Sequence, residues 1–317
     1  MSSTDPYLEY PLRKLGYDQP FYEWETLPNR PMPEWPQGNG LAAIVVVPLQ
    51  TFRFDAPPSP YRPSGAPSKE YPDYREWSWK DYGLRVGVFR VFDELDARGI
   101  KATVAIDAET TRRCPRLVRE ALDRGYELVA HGVNGTDVIH EGLDERAENE
   151  LITGAVATVS AAAGQPVRGW LSPGRTHSTR TPDLLSAAGV EYLLDWANDD
   201  APVRIRAHTR DLVAVPLSHE INDVNSIWQM HHTAPAWAEQ VADSVSLLAG
   251  ERDRGGRVIA VTTTPWLVGQ PHRIPALRKA LDAIRDAKPW MATAGEIADA
   301  SRGCLGIADP EDYGATN

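Results

Sequence analysis

The sequence predicts an α/β protein built as a closed or distorted (β/α) barrel, and three observations carry that expectation. Apolar runs of strand length alternate with amphipathic helical stretches along most of the 317 residues, the pattern of right-handed β-α-β units on a parallel sheet. Seven strand patterns can be counted, enough to curl a sheet toward closure. Neither a GxGxxG fingerprint nor a P-loop is present, which disfavours a doubly wound nucleotide-binding sheet.

Residues 1–40 are rich in Pro, Tyr and Trp without a helical or strand period, so they read as an extended arm packed on the domain at 41–300, with 301–317 as a tail. "LAAIVVVPLQ" (41–50) is the first strand, ended by Pro48, which cannot donate to a ladder. The Pro/Ser/Gly-rich stretch 55–74 is too long for a mere connection, and loops of that length are usually functional or mobile. "RVGVFRVFDELDARG" places Val88, Val91, Phe92 and Leu95 on one helical face before Gly99 stops it. The alternation then continues: strand "IKATVAID", helix "PRLVREALDRG", strand "YELVAHG", helix 144–163, strand "VRGWLSPG", helix 181–188 and strand "EYLLDW". Strand "LVAVPLS", helix 234–254, strand "RVIAVTTT" and helix 275–287 complete it.

Composition excludes several functions. A net charge of -11, with no Lys/Arg cluster, argues against nucleic acid and anionic membrane as partners. Cys114 and Cys304 are far apart and form neither a disulfide framework nor a CxxC knuckle. The N-terminus lacks the apolar core of a signal peptide and no later segment has the length of a membrane span, so the expected location is the cytoplasm.

In such barrels chemistry sits where strands meet the loops that follow them. Those ends read "VPLQ", "AIDAE", "AHGVNG", "SPGR", "DWANDD", "SHEIND" and "TTTPW", and most carry polar or charged groups. Any one of them is explained by a cap or a solvated turn. All seven together point to a site.

The stretches "YGLRVGVFRVFDELDARGIKATVAIDAE", "ALDRGYELVAHG", "RGWLSPGRTHSTRTPDLLSAAGVEYLLDWANDD", "LSHEIND", "PWLVGQPHRI" and "ATAGEIAD" resemble the polysaccharide deacetylase (NodB-homology) superfamily. They are most similar to its cytoplasmic branch of allantoinase-like and peptidoglycan-deacetylase-like proteins. The resemblance implies a distorted (β/α)7 barrel, assembly as a dimer or tetramer, and hydrolysis of an amide carbon-nitrogen bond. It also implies an Asp base, a metal held by an acidic residue and two histidines, and a late His as acid. The metal would lower the pKa of bound water, and the acid would prevent expulsion of an amide anion.

This sequence departs from that pattern at each of those groups. Pro48 and Gln50 stand where an Asp-x-Asp or Asn-x-Glu pair belongs, and His131 is followed at the second histidine position by Gly135. His140 lies nine residues along, which is not a ligand spacing, and Thr264 replaces the late histidine before "PW". A zinc or manganese site needs about three protein ligands, so its ligand set is incomplete here and no cofactor is expected.

What remains at the strand ends supplies the candidates. His131, Asp107, Glu109, Asp199 and Thr264 are the candidate catalytic residues, because paired carboxylates can replace a metal as an acid/base couple and a hydroxyl can position water or a carbonyl. Gln50, Arg175, His177, Trp196, Asp200, Glu220, His232 and Trp266 are candidates for binding substrate. Arg175 suits a carboxylate or oxyanion, and the tryptophans suit a planar ring. Asp199 and Asp200 can equally cap a turn. The expected function is hydrolysis of a non-peptide amide, ureide or imide bond in a small molecule without the usual metal. A metal-free lyase or isomerase, or a silent ligand-binding protein, is the alternative.

Overall fold

The computed structural model describes residues 19–55 and 73–308. Most of the expected 55–74 loop and the ends of the predicted arm and tail therefore lie outside the described residues. The strands are β1 (Leu41–Leu49), β2 (Thr103–Ile106), β3 (Glu127–Ala130), β4 (Gly169–Trp170), β5 (Tyr192–Leu193), β6 (Val203–Ile205), β7 (Leu212–Ala214), β8 (Arg257–Thr262) and β9 (Trp290–Met291). They form one curled sheet in the order β6-β7-β5-β4-β3-β2-β1-β8, with β9 alongside the start of β1. All seven expected strands are present and mutually parallel.

Two short strands escape a sequence reading. β6 pairs antiparallel with β7, and β9 pairs with Ala42 and Ala43 only. Each is too short to show a period. Pro48 also does not end β1, since the ladder to β2 runs on to Leu49. Leu49 O faces β2, where it accepts from Asp107 N, so the nitrogen of Pro48 faces the β8 side. There the pairing of β1 with β8 has already ended at Val46 and Thr262, and no donor is missed.

The period-2 alternation of each strand divides the core into two layers. Leu41, Ala43, Val45, Val47 and Leu49 pack outward with the helices, whereas Ala42, Ile44 and Val46 pack inside the curl with Val129, Val213 and Ala260. The helical shell comprises α1 (Tyr74–Tyr82), α2 (Val88–Asp96), α3 (Ala108–Arg113), α4 (Pro115–Asp123), α5 (Glu145–Ala163), α6 (Thr181–Ala187), α7 (Ala234–Gly250), α8 (Pro265–Val268), α9 (Ile274–Asp286) and α10 (Ala294–Leu305). α10 carries a capping box from Thr293 and Glu296 and continues past residue 300.

The sheet stays open between β6 and β8, the two ends of its path. The loop after β5 fills this seam, with Val258 N donating to Asp200 O at 2.8 Å. The arm covers that loop through an ion pair of Arg30 with Asp199 and through edge-on contacts of Phe21 and Tyr22 with Trp196. No helix among the described residues is long and apolar enough to cross a membrane.

Candidate active site

A cavity of about 300 Å3 opens at the C-terminal ends of the strands. Its lining includes Gln50 after β1, His131 after β3, Arg175 after β4, Asp195 after β5, and Thr262, Thr264 and Trp266 from β8 to α8. Parity explains part of this set. Gln50 continues the inward face of Ala42, Ile44 and Val46, and Thr262 and Thr264 continue that of Val258 and Ala260.

His131 is 3 % exposed, and its Nδ1 lies 2.6 Å from Leu171 O. A carbonyl only accepts, so Nδ1 carries the proton and Nε2 keeps a lone pair. Burial pushes the imidazole down to about 4 against the smaller opposing pulls of Leu171 O and Asp195, so the ring is neutral at pH 7.

Thr264 faces the cavity, but its hydroxyl is engaged. Oγ1 donates to Asp223 Oδ1 at 2.8 Å, and Thr264 N donates to Asp223 Oδ2. Asp223 is fully buried, and desolvation pushes it up to about 7 even though the bonds from Thr264 and Val224 favour the carboxylate. A carboxyl able to change protonation near neutrality therefore sits one hydroxyl away from the cavity. Sequence reading missed it. Asp223 lies in the quoted "SHEIND" end, but its partner is 41 residues away.

Arg175 has a positive φ of 55° and spends Nη1 and Nη2 on the carbonyls of Leu217 and Ser218, at 3.0 and 2.9 Å. Burial pushes its guanidinium down to about 10, opposed by Asp195. Asp195 accepts from Ser172 N and from His177 Nε2, both at 2.7 Å. His177 thus reaches the cavity only through Asp195.

One π-helical turn lines the cavity and a second packs against the helix that carries Trp266, a conformation often met at functional sites. The turn Val224–Gln229 brings Val224 and Asn225 to the lining, and Asn225 Nδ2 bonds the His219 ring. The turn Gly83–Gly87 lies against α8, where a Cβ on Gly83 would fall 2.6 Å from Trp266 N. Only glycine permits that approach. Trp266 packs with Trp79 and Trp228 at centroid distances of 4.8 and 6.3 Å, giving the cavity one aromatic side.

Other candidates lie elsewhere. Asp107 is the N-cap of α3 and is fully buried, and its two oxygens accept from Thr110 N and Thr51 N at 2.5 and 2.7 Å. Burial raises it to about 7, yet it is absent from the lining, so its place is structural. Glu109 turns outward to Arg112 and Arg113. Asp199, Asp200 and Glu220 line a separate groove at the seam, where Asp199 is held by Arg30. Trp196 packs under the arm, and His232 bonds Ser226 and Gln240. Asp107 and Glu109 therefore do not act as a pair, because one caps α3 while the other pairs with Arg112 and Arg113, and Asp199 and Asp200 lie together in the seam groove and not in the cavity.

The fold family implies a divalent metal, but the residues present do not fit one. A Cβ at Gly135 would lie 2.7 Å from the Phe52 ring, so that ring fills the space of a second histidine. Gln50 offers only a neutral amide, and Asp107 is spent on backbone amides. Among the described residues, no group of three His, Cys, Asp or Glu side chains is placed to hold an ion.

Residues 80–193 match the polysaccharide deacetylase family model. That stretch, about a third of the chain, is similar to the polysaccharide deacetylases. Solved structures agree on its fold. A PuuE allantoinase aligns over 87% of this chain and 94% of its own at a TM-score of 0.76 and 21% identity. A probable polysaccharide deacetylase from Pseudomonas aeruginosa PAO1 aligns over 87% and 95% at 0.77 and 22%. A structure from Mycobacterium smegmatis aligns over 88% and 96% at 0.71 and 23%. Identities this low establish the NodB-type (β/α) barrel and nothing finer. No curated protein sequence matches the chain.

Proposed function

We propose that the protein hydrolyses a non-peptide carbon-nitrogen bond, an amide, ureide or imide, of a small molecule, without a metal. The observation that carries this reading is the buried Asp223 carboxyl, poised near neutrality and coupled to the cavity by the Thr264 hydroxyl. A relay of this kind suits general acid-base catalysis at pH 7. Water attacks the substrate carbonyl carbon and gives a proton to Thr264 Oγ1 as that hydroxyl passes its own to Asp223. The carbon-nitrogen bond then breaks, and the proton returns by the same route to the leaving nitrogen. The neutral His131 can accept a hydrogen bond from the water or from a substrate N–H through Nε2. Its depressed pKa makes it unable to supply the leaving group's proton at neutral pH. That same neutrality favours the second reading, ligand binding without turnover.

The test is turnover of cyclic ureides, imides and N-acyl amines by protein purified without added metal, in the presence of chelator. Thr264→Ser should retain activity and Thr264→Val should lose it. Activity that disappears with chelator and returns with zinc, or about one tightly bound metal per chain, would refute the metal-free mechanism.

A further inference from the structure

We propose that the Thr262 hydroxyl is the inner hydrogen-bonding anchor for a compact, uncharged ligand in the cavity. This rests on the cavity assigned above as the reaction site, and it assigns a positioning residue that the proton relay does not include. Three consecutive threonines end β8, and they meet different fates. Thr264 donates to Asp223, and Thr263 lies against Val46 O at 3.5 Å. Thr262 lines the cavity, is 4 % exposed, and its Oγ1 is buried with no hydrogen-bond partner among the described residues. A buried hydroxyl without a partner bears its full desolvation cost until something pairs with it. Its neighbours on the inner face, Val46 across the ladder and Ala260 two residues before it, cannot pair.

The chemistry of the occupant follows from what else lines the space. Arg175 is committed to two carbonyls and Asp195 to an amide and a histidine, and their charges oppose each other. The buried His131 is neutral. The lining therefore presents no uncommitted charge from these groups to a charged ligand, whereas a hydroxyl both donates and accepts. A carbonyl, amide or alcohol group reaching Thr262 satisfies it; a carboxylate or ammonium would be desolvated without a counter-ion.

Thermal melts of wild type, Thr262→Val and Thr262→Ser test this, alone and with succinimide, hydantoin or acetamide as neutral probes and acetate or methylammonium as charged ones. Without ligand, Thr262→Val should melt about 2 °C above wild type, since an isosteric apolar group replaces an unpaired hydroxyl. At least one neutral probe should raise the melting temperature of wild type and Thr262→Ser, with about tenfold weaker binding to Thr262→Val. The charged probes should have no effect. The proposal is overturned if ligand-free Thr262→Val melts below wild type, if it binds the neutral probes as well as wild type does, if charged probes bind better, or if no neutral probe shifts wild type. Thr262-dependent binding with no product formed would instead refute hydrolysis and leave the anchor standing.

Discussion

At the start of β3, the partly buried carboxylate of Glu127 accepts from Tyr192 OH at 2.5 Å, Thr103 Oγ1 at 2.9 Å and Gly295 N at 3.1 Å. At the other end of the same sheet, Thr262 has a buried hydroxyl with no partner, and His131 keeps an open Nε2. Both clusters bury polar groups at strand termini. The first is closed on itself, joining β2, β3, β5 and α10, and serves to hold them together. The second leaves hydrogen-bonding capacity facing a cavity, which stability alone does not favour. A perturbed carboxyl is therefore not diagnostic by itself. Burial raises Glu127, Asp107 and Asp223 alike, and only Asp223 connects to the cavity through a polar hydrogen.

The largest expected effect that separates the two clusters is on rate. Asp223→Asn should lower kcat by about 100- to 10,000-fold, the range for a general acid-base group, while the protein stays folded. Asp223 must be ionised to take the first proton, so wild-type kcat should rise with pH through about 7 and the variant should lose that limb. An unchanged pH-rate profile would break the assignment.

Next in size is Glu127→Ala, which strands the hydroxyl of Tyr192 and the amide of Gly295. It should cost about 3 kcal/mol in urea unfolding and leave probe affinity in the folded fraction unchanged. A variant of wild-type stability that binds poorly would erase the distinction between the clusters.

The smallest effect is a pH dependence of stability from His131. Burial holds its folded-state pKa near 4, below that of the unfolded chain, so the unfolded chain takes up the proton first as pH falls. Stability should drop through pH 6.5 toward 4, by about 2 kcal/mol between pH 7 and 5. Comparing wild type with His131→Asn isolates this contribution, and equal slopes for the two would refute the buried neutral imidazole.

Much of the site was legible from strand ends. Gln50, His131, Arg175, Thr264 and Trp266 converge on one cavity because each follows the C-terminal end of a parallel strand. Legibility failed where neighbours in sequence point apart. "AIDAE" and "DWANDD" look like paired acids, yet Asp107 caps a helix, Glu109 faces Arg112 and Arg113, and Asp199 turns to the arm. Asn225 and Val224 were missed because a π-helical turn breaks the helical period that would have signalled their shared face.

Alternating apolar patterns determined the seven parallel strands and the helices between them, because burial of one face is written into local spacing, and the stretches quoted from "YGLRVGVF" to "ATAGEIAD" carried the resemblance to the polysaccharide deacetylases. The same sequence showed that the family's ligand positions hold Gln50, Gly135 and Thr264. Only the tertiary structure decided what those positions face. Phe52 fills the space beside Gly135, Asp223 crosses 41 residues to reach Thr264, and Thr262 is left without a partner. Hydrogen bonding and steric contact depend on distance in space, and the spacing of residues along the chain does not encode that distance between remote loops.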